Sequence, residues 1–321
     1  AAPRWRAQQH LAVALLREYA STGCPVSLGR NWTIEELEAA VARGPHVSAL
    51  EDDAIAQIQI EAREKAAQGF ATIHFWEDLK QNLPPALKLS PLAMIPHKPR
   101  KYRAILDLSF ELVVAGYRLP SVNDATKRCA PEEAIDQIGT VLPRIISAIA
   151  EAPDEMGDIM MAKLDIKDGF WRMVCEAGQE WNFAYVLPNH PGQPVEIVVP
   201  SALQMGWAES PLFFCAASET GRDVAASYVT EPLGSLPAHP LEDHTMPEFM
   251  LPDITKMPPN KVAPFLQMIK VYVDDYIQLV QSRDPCALLH CSRAVLHGIH
   301  SVFPPPDITG HTGQDQNLSR N

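Results

Sequence analysis

The stretch IKVYVDDYIQLV, residues 269–280, sets two adjacent carboxylates, Asp274 and Asp275, between two apolar runs rich in β-branched residues. Val, Ile and Tyr favour strands and Asp does not, so the pattern predicts two short strands with the acidic pair at the turn between them. Two readings of the pair follow. It is a solvated Asp-Asp turn, because Asp is common in turns. Alternatively it is a tight hairpin inside a sheet, with the charges held in place. Tyr272-Val273 and Tyr276-Ile277 crowd the pair with strand formers and argue for the second reading.

A second carboxylate pattern lies upstream in MAKLDIKDGFWRM, residues 161–173. The run DIMMAKLDI reads as a buried strand, and Asp165 falls where it runs out. Asp168 follows three residues later, before Gly169-Phe170-Trp171. Taken alone, Asp165 is either the cap of a following helix or a ligand. Mg²⁺ takes oxygen ligands, commonly one or two carboxylates plus substrate phosphates. Asp165 on one strand and Asp274 on an adjacent hairpin would hold two ions about 4 Å apart, the spacing that serves in-line phosphoryl displacement.

Composition narrows the classes open to the chain. At 321 residues and 46% hydrophobic it can bury a sizeable core, in two or three subdomains. It contains no run of 18 apolar residues, which argues against a membrane span, and LAVALL near the start is too short for a signal peptide. Six cysteines without a framework suit a reducing compartment, hence the cytoplasm or nucleus. A net charge of −12 argues against a general nucleic-acid binder. Locally the balance reverses: from Lys80 to Arg103 there are six basic residues, Lys80, Lys88, Lys98, Arg100, Lys101 and Arg103, and no acidic one.

Along the chain, residues 1–88 read as a helical extension of unassigned role. Thr33-Ile-Glu-Glu36 is a capping box for a helix that Gly44-Pro45 closes, and a second amphipathic helix runs from about Asp53 to Gln68, ended by Gly69. PLAMIPHKPRKYRAILDLSF reads as a hairpin with cations at its tip. Residues 131–150 read as a helix, and WNFAYVLP and EIVVPSAL as two strands. Ser210-Pro211 opens a helix to about Ala226. Residues 230–264, with eight prolines, read as an irregular insert. Asp284-Pro285 caps a last helix that the prolines 304–306 terminate, and 303–321 is an irregular tail.

Four segments, taken in order, resemble a reverse transcriptase of the retroelement type. KLDIKDGFWRM resembles the first palm motif, LQMGWAESPLFF the Gly-Trp and Ser-Pro motif that leads into the palm helix, VYVDDY the YxDD hairpin, and PHKPRKYRAILDLSF the fingers hairpin. The resemblance implies an α+β fold: right-hand polymerase fingers and palm over residues 89–302, with an antiparallel palm sheet packed on helices. It implies template-directed DNA synthesis from an RNA or DNA template with primer and dNTPs. Asp165, Asp274 and the carbonyl of Ile166 would hold two Mg²⁺ ions, with Mn²⁺ as a substitute and Asp275 supporting. Lys98, Lys101 and Arg103 would meet the triphosphate. Phe170 would exclude a ribose 2′-OH, unless it is a core residue. Gly206 and Trp207 would line the template side, and Tyr272 belongs with the substrate-binding residues. The chemistry agrees, because nucleotide transfer develops negative charge that metals and cations stabilise.

This sequence also departs from the family pattern. Met205 stands where a Gln is common, and Ser109 follows LDL where an Arg is frequent, which leaves Asp107 without its usual partner. The 230–264 insert lengthens the spacing between two motifs. Only 46 residues follow Asp275, too few for primer grip, thumb and RNase H domain, and the chain begins without Met, so it reads as a fragment with poor processivity. The competing expectation is a truncated remnant that keeps the fold, with or without nucleic-acid binding, but does not polymerise. An RNA-dependent RNA polymerase is disfavoured by Phe170. Cys286, His290, Cys291, His297 and His300 suggest a zinc site, but helical spacing puts Cys286, His290, Arg293 and His297 on one face and Cys291 elsewhere, which favours helix packing.

Overall fold

The computed structural model describes residues 10–99, 101–133, 135–232, 234–242, 266–284 and 286–304. In chain order these form α1 (Val13–Thr22), α2 (Ile34–Arg43), α3 (Asp52–Ala67), β1 (Ala71–Phe75), α4 (Trp76–Leu79), β2 (Leu92–His97), β3 (Lys101–Leu106), β4 (Leu112–Val114) and β5 (Tyr117–Leu119). Then follow α5 (Val141–Glu151), β6 (Ile159–Asp165), β7 (Tyr185–Val186), β8 (Glu196–Pro200), α6 (Ser210–Val229), β9 (Leu266–Tyr272), β10 (Asp275–Gln281) and α7 (Cys286–Val302). The class is α+β, with small antiparallel sheets. The chain divides into two compact units. One comprises Ala1–Arg17, Pro131–Gly169 and Leu212–Asn321, and the other Glu18–Ala130 and Phe170–Pro211.

In the second of these units, α2 begins at the expected capping box. Thr33 Oγ1 accepts from the Glu36 N–H at 3.3 Å, and the Thr33 N–H donates back to Glu36 Oε2 at 2.8 Å. Arg30 and Tyr117 also donate to the buried Glu36 carboxylate, and the Arg30 bond above all pushes its pKa down to about 2. Gly44 closes the helix with φ +67 and an N–H bonded to Ala40 O. The expected helical character of residues 1–88 needs correction. Ala71–Phe75 is a strand, paired antiparallel to β8 in the sheet order β1-β8-β7. Leu37, Ala40 and Trp76 share a core with Leu112, Val186, Ile197 and Val199, so the stretch from α2 to α4 packs into a common core with later strands. The cause is non-local pairing, which a five-residue run without clean alternation does not announce.

Other expectations shift for similar reasons. In WNFAYVLP, Trp181–Phe183 belong to a 3₁₀ turn and only Tyr185–Val186 form a strand. The segment 131–150 is a 3₁₀ turn, Ile135–Thr140, followed by α5. Ser210 is the first residue of α6, and its hydroxyl donates to Gln204 O at 2.8 Å instead of capping.

The other unit is built on the sheet β6-β10-β9. Its central strand, β10, pairs with β6 in the register Asp275↔Asp165 and with β9 in the register Asp275↔Tyr272. Side chains alternate between faces, so Tyr276, Gln278 and Val280 share one face. That face is covered by helices: Tyr276 donates from its hydroxyl to Ser218 O of α6 at 2.6 Å, and Ser292 of α7 donates to Gln278 Oε1 at 3.2 Å. Helices α6 and α7 touch backbone to backbone. A Cβ on Gly298 would lie 2.5 Å from Gly221 O and 2.6 Å from Ala225 Cβ. On the opposite face, α5 puts Val141 and Ile145 over Ile159, Leu266, Met268, Ile277 and Leu279. Ile277 stands two residues from Asp275 and the others lie further along the sheet, while Asp165 is exposed and Asp274 and Asp275 are half-buried. β6 is half-exposed, with Met161 at 66%, which corrects the expectation of a buried strand.

Of the 230–264 insert, residues 243–264 lie outside the described residues. The described part includes Leu236, which packs on Val224, Tyr228 and Ala294, and Glu242, which pairs with Arg293 of α7 at 2.6 Å. Asp284 caps α7 by accepting from the Cys286 N–H at 2.9 Å, while Pro285 lies outside the described residues. Of the tail, Phe303 is buried and stacks on Phe214 at 5.7 Å, and residues 305–321 lie outside the described residues.

Candidate metal centre

The three acidic residues meet because the sheet register brings them together. Asp165 ends β6 directly opposite Asp275, the first residue of β10, and the two-residue loop Val273-Asp274 closes the β9–β10 hairpin. Val273 has φ +59 while Asp274 does not share the left-handed region, the pattern of a type II′ turn. Gly is the usual residue there, and a β-branched side chain is strained. The Ile166 N–H donates to Asp274 O at 3.2 Å, tying the end of β6 to that turn. Gly169 packs beneath it: an added Cβ would lie 2.9 Å from the Phe214 ring and 3.5 Å from Asp274 Cβ.

Among the described residues, Asp165, Asp274 and Asp275 are the one group of three or more acidic, His or Cys side chains whose ligand atoms all lie within 4.8 Å of one another. Like charges directly opposite on a sheet repel. Here burial first, then Asp274 and Asp275, hold the Asp165 carboxyl above its usual range. Burial likewise raises Asp274. The cation that offsets this repulsion is Lys163, two residues before Asp165 and therefore on the same face of β6. Its Nζ lies 2.6 Å from Asp275 Oδ1, and that bond raises the Lys163 pKa. Carboxylates of this kind are the usual ligands of a hard divalent cation: one ends β6, one opens β10 and one sits in the turn between β9 and β10, and Lys163 pairs with Asp275. Sequence reading passed over Lys163, although its spacing from Asp165 on a strand would have revealed it.

The remaining expected site residues lie as follows. Tyr272, opposite Asp275, is 46% exposed. In the other unit, Lys98 follows β2 at the hairpin tip, and Lys101 and Arg103 lie on β3 in the register His97↔Lys101 and Ile95↔Arg103. Lys101 pairs with Asp53, and Arg103 directs Nη2 to Met205 Sδ at 2.8 Å. Lys88, from the same basic stretch, is buried. It donates to Leu28 O at 3.2 Å and Asn182 Oδ1 at 2.9 Å, and burial pushes its pKa down to about 8. It is a structural lysine, and Lys80 pairs with Glu77.

Phe170 is partly buried in the 3₁₀ turn Gly169–Arg172. Asn123 shapes the Met205–Ala208 loop, donating to Gly206 O at 2.9 Å and accepting from the Ala208 N–H at 2.9 Å. Met205 and Gly206 are exposed, but Trp207 is not. Its indole is 1% exposed, donates to Thr126 Oγ1 at 2.9 Å and meets Phe183 edge-on at 5.3 Å. A contact of Trp207 with a template therefore does not run through its side chain. A large indole is read from sequence as surface or core with equal ease, and only the packed neighbours decide. Asp107 accepts from the Ser109 N–H at 3.0 Å and lies in the field of Arg43.

The α7 histidines serve packing. His290 reaches Val229 O at 3.3 Å, His297 reaches Pro237 O at 3.0 Å, and His300 Nδ1 lies 2.9 Å from His239 Nε2. Cys286 and Cys291 are buried thiols. No described helix is long and apolar enough to cross a membrane. No protein-family model matches the chain, and no curated protein matches it.

Proposed function

We propose that the chain is the fingers and palm portion of an RNA-directed DNA polymerase of the retroelement type, acting inside the cell on a primed RNA or DNA template. The observation that carries this reading is the convergence of Asp165, Asp274 and Asp275 at one end of an antiparallel sheet, with ligand atoms within 4.8 Å. In this reading Asp165, Asp274 and the Ile166 carbonyl hold Mg²⁺, and Asp275, balanced by Lys163, supports them. Bound metal would supply charge stabilisation for the attacking 3′-oxygen and the leaving pyrophosphate. Lys98, Lys101 and Arg103 take the triphosphate, Phe170 reads the sugar, and Tyr272, Gly206 and the backbone at Trp207 contact substrate.

The test is primer extension on an RNA template with dNTPs and Mg²⁺, beside an Asp274→Asn control. Product from the wild type and none from the control supports polymerisation. Equal background from both leaves a remnant that keeps the fold without the reaction.

A further inference from the structure

Residues 46–57 grip the basic hairpin on both of its edges. On the β2 edge, the His46 N–H donates to Leu92 O at 2.9 Å, and Ser48 Oγ accepts from the Met94 N–H at 3.1 Å. On the β3 edge, the side-chain amide of Gln57 acts like a short neighbouring strand. Its Nε2 donates to Tyr102 O at 2.9 Å, and its Oε1 accepts from the Tyr102 N–H at 3.2 Å. Two-stranded ribbons have unpaired edges that something must satisfy. Here one segment satisfies several of those groups on both sides.

Asp53 lies four residues before Gln57 on α3, so both side chains project from one helix face. The Asp53 carboxylate pairs with Lys101 Nζ, and Glu51 accepts from the Tyr102 hydroxyl at 3.0 Å. The Lys101–Asp53 bond raises the lysine pKa, so the ammonium stays charged. The Lys101 and Asp53 side chains are 61% and 68% exposed. An exposed ion pair of this sort is weak, screened by salt and exchangeable. Asp53 also stands in the first turn of α3, where the helix dipole favours a carboxylate even without Lys101.

We propose that α3 is a latch on the basic hairpin: Gln57 positions β3, and Asp53 is a counter-ion on Lys101 that a polyphosphate displaces. The inference rests on reading the hairpin as the triphosphate-binding element. It adds that the binding cation is masked by an acid of the same chain until the ligand arrives. Gln57 and Asp53 are positioning residues, since neither touches the phosphate.

The experiment measures inorganic tripolyphosphate binding to the full chain by calorimetry, and the dNTP KM and kcat in primer extension, for the wild type, Asp53→Asn, Lys101→Ala and the double variant. Asp53→Asn is expected to tighten binding and lower KM about threefold with kcat unchanged. Lys101→Ala weakens binding, and in that background Asp53→Asn has no further effect, because the acid acts only through the lysine. Tightening by Asp53→Asn that persists in the Lys101→Ala background reduces Asp53 to general surface charge and overturns the latch. No tightening in either background overturns it as well. Extension with a KM indifferent to both residues sinks the latch and leaves the polymerase reading standing. Absence of both extension and tripolyphosphate binding removes the two together.

Discussion

Two charged hairpins of the molecule differ in how far packing encloses them. The acidic one, β9–β10, is the middle of a core: Tyr276, Leu279 and Val280 are fully buried, helices cover one face, and α5 covers part of the other. The basic one, β2–β3, buries Leu92, Met94 and Leu106 but leaves Ile95 and Ile105 at 46% and 38% exposure, and polar bonds from residues 46–57 hold its edges. Close packing allows few alternative arrangements, whereas individual hydrogen bonds contribute only about 0.5–1.5 kcal/mol net each and can be exchanged. The strands that carry the three carboxylates are therefore fixed by a packed core, while the carboxylates themselves stand at its exposed end. The basic ribbon has exchangeable polar bonds along its edges, as the proposed swap of one anion for another on Lys101 requires.

The largest effect expected from this contrast is on activity. Asp274→Asn should lower primer extension by at least about 100-fold, as losing a charge-stabilising group at a reacting centre commonly does. Its thermal midpoint should not fall, because the change relieves repulsion within the triad. An active Asp274→Asn protein would break the assignment of the acidic hairpin.

Stability should divide along the same line. Gly298→Ala drives a Cβ into Gly221 O and Ala225, and urea unfolding should register a loss of about 1–3 kcal/mol or more. Gly169→Ala, against the Phe214 ring, should cost less, because a side chain can give where backbone cannot. Ile95→Ala on the basic hairpin should stay within about 0.5 kcal/mol. Equal losses at Gly298 and Ile95 would erase the distinction between an embedded and a tethered hairpin.

Exchange should sharpen the comparison further. Gln57→Ala removes the acceptor of the Tyr102 N–H, so hydrogen exchange at Tyr102 should speed up about tenfold, the equivalent of roughly 1.4 kcal/mol of local opening. Tyr276, in the buried sheet, should exchange at an unchanged rate in the same variant. Acceleration at both sites would show that Gln57 supports the whole fold and not the ribbon alone.

The smallest effect is on pH. Asp165 and Asp274 are raised in the folded protein, so the native state binds more protons than the unfolded chain through the carboxylate range. Without divalent ions, stability should fall as pH rises from the unfolded carboxylate value near 4 through the raised native values. Thermal melts in chelator should show this decline, and Asp274→Asn should flatten it. A decline unchanged in Asp274→Asn would place the titrating groups elsewhere. Added Mg²⁺ should raise the midpoint in proportion to its occupancy if the triad binds it.

Much of the local structure was legible in the residues themselves. The capping box Thr33–Glu36, the Gly44 stop and the helix expected from about Asp53 to Gln68 are written in spacing and cap chemistry, and both hairpins in runs of strand formers around charged residues, all of which act within a few residues. Asp165, Asp274 and Asp275 could be selected because acids are out of place beside strand formers. The tertiary structure decided what depends on contacts between distant residues. It paired Ala71–Phe75 with Glu196–Pro200, buried Trp207 against Phe183, and buried Lys88 against Asn182. It set Asp165 opposite Asp275 with Lys163 paired to Asp275, and it gave Lys101 to Asp53. Register and burial are properties of partners far apart along the chain, and no local pattern specifies which partner a strand, an indole or a lysine will meet.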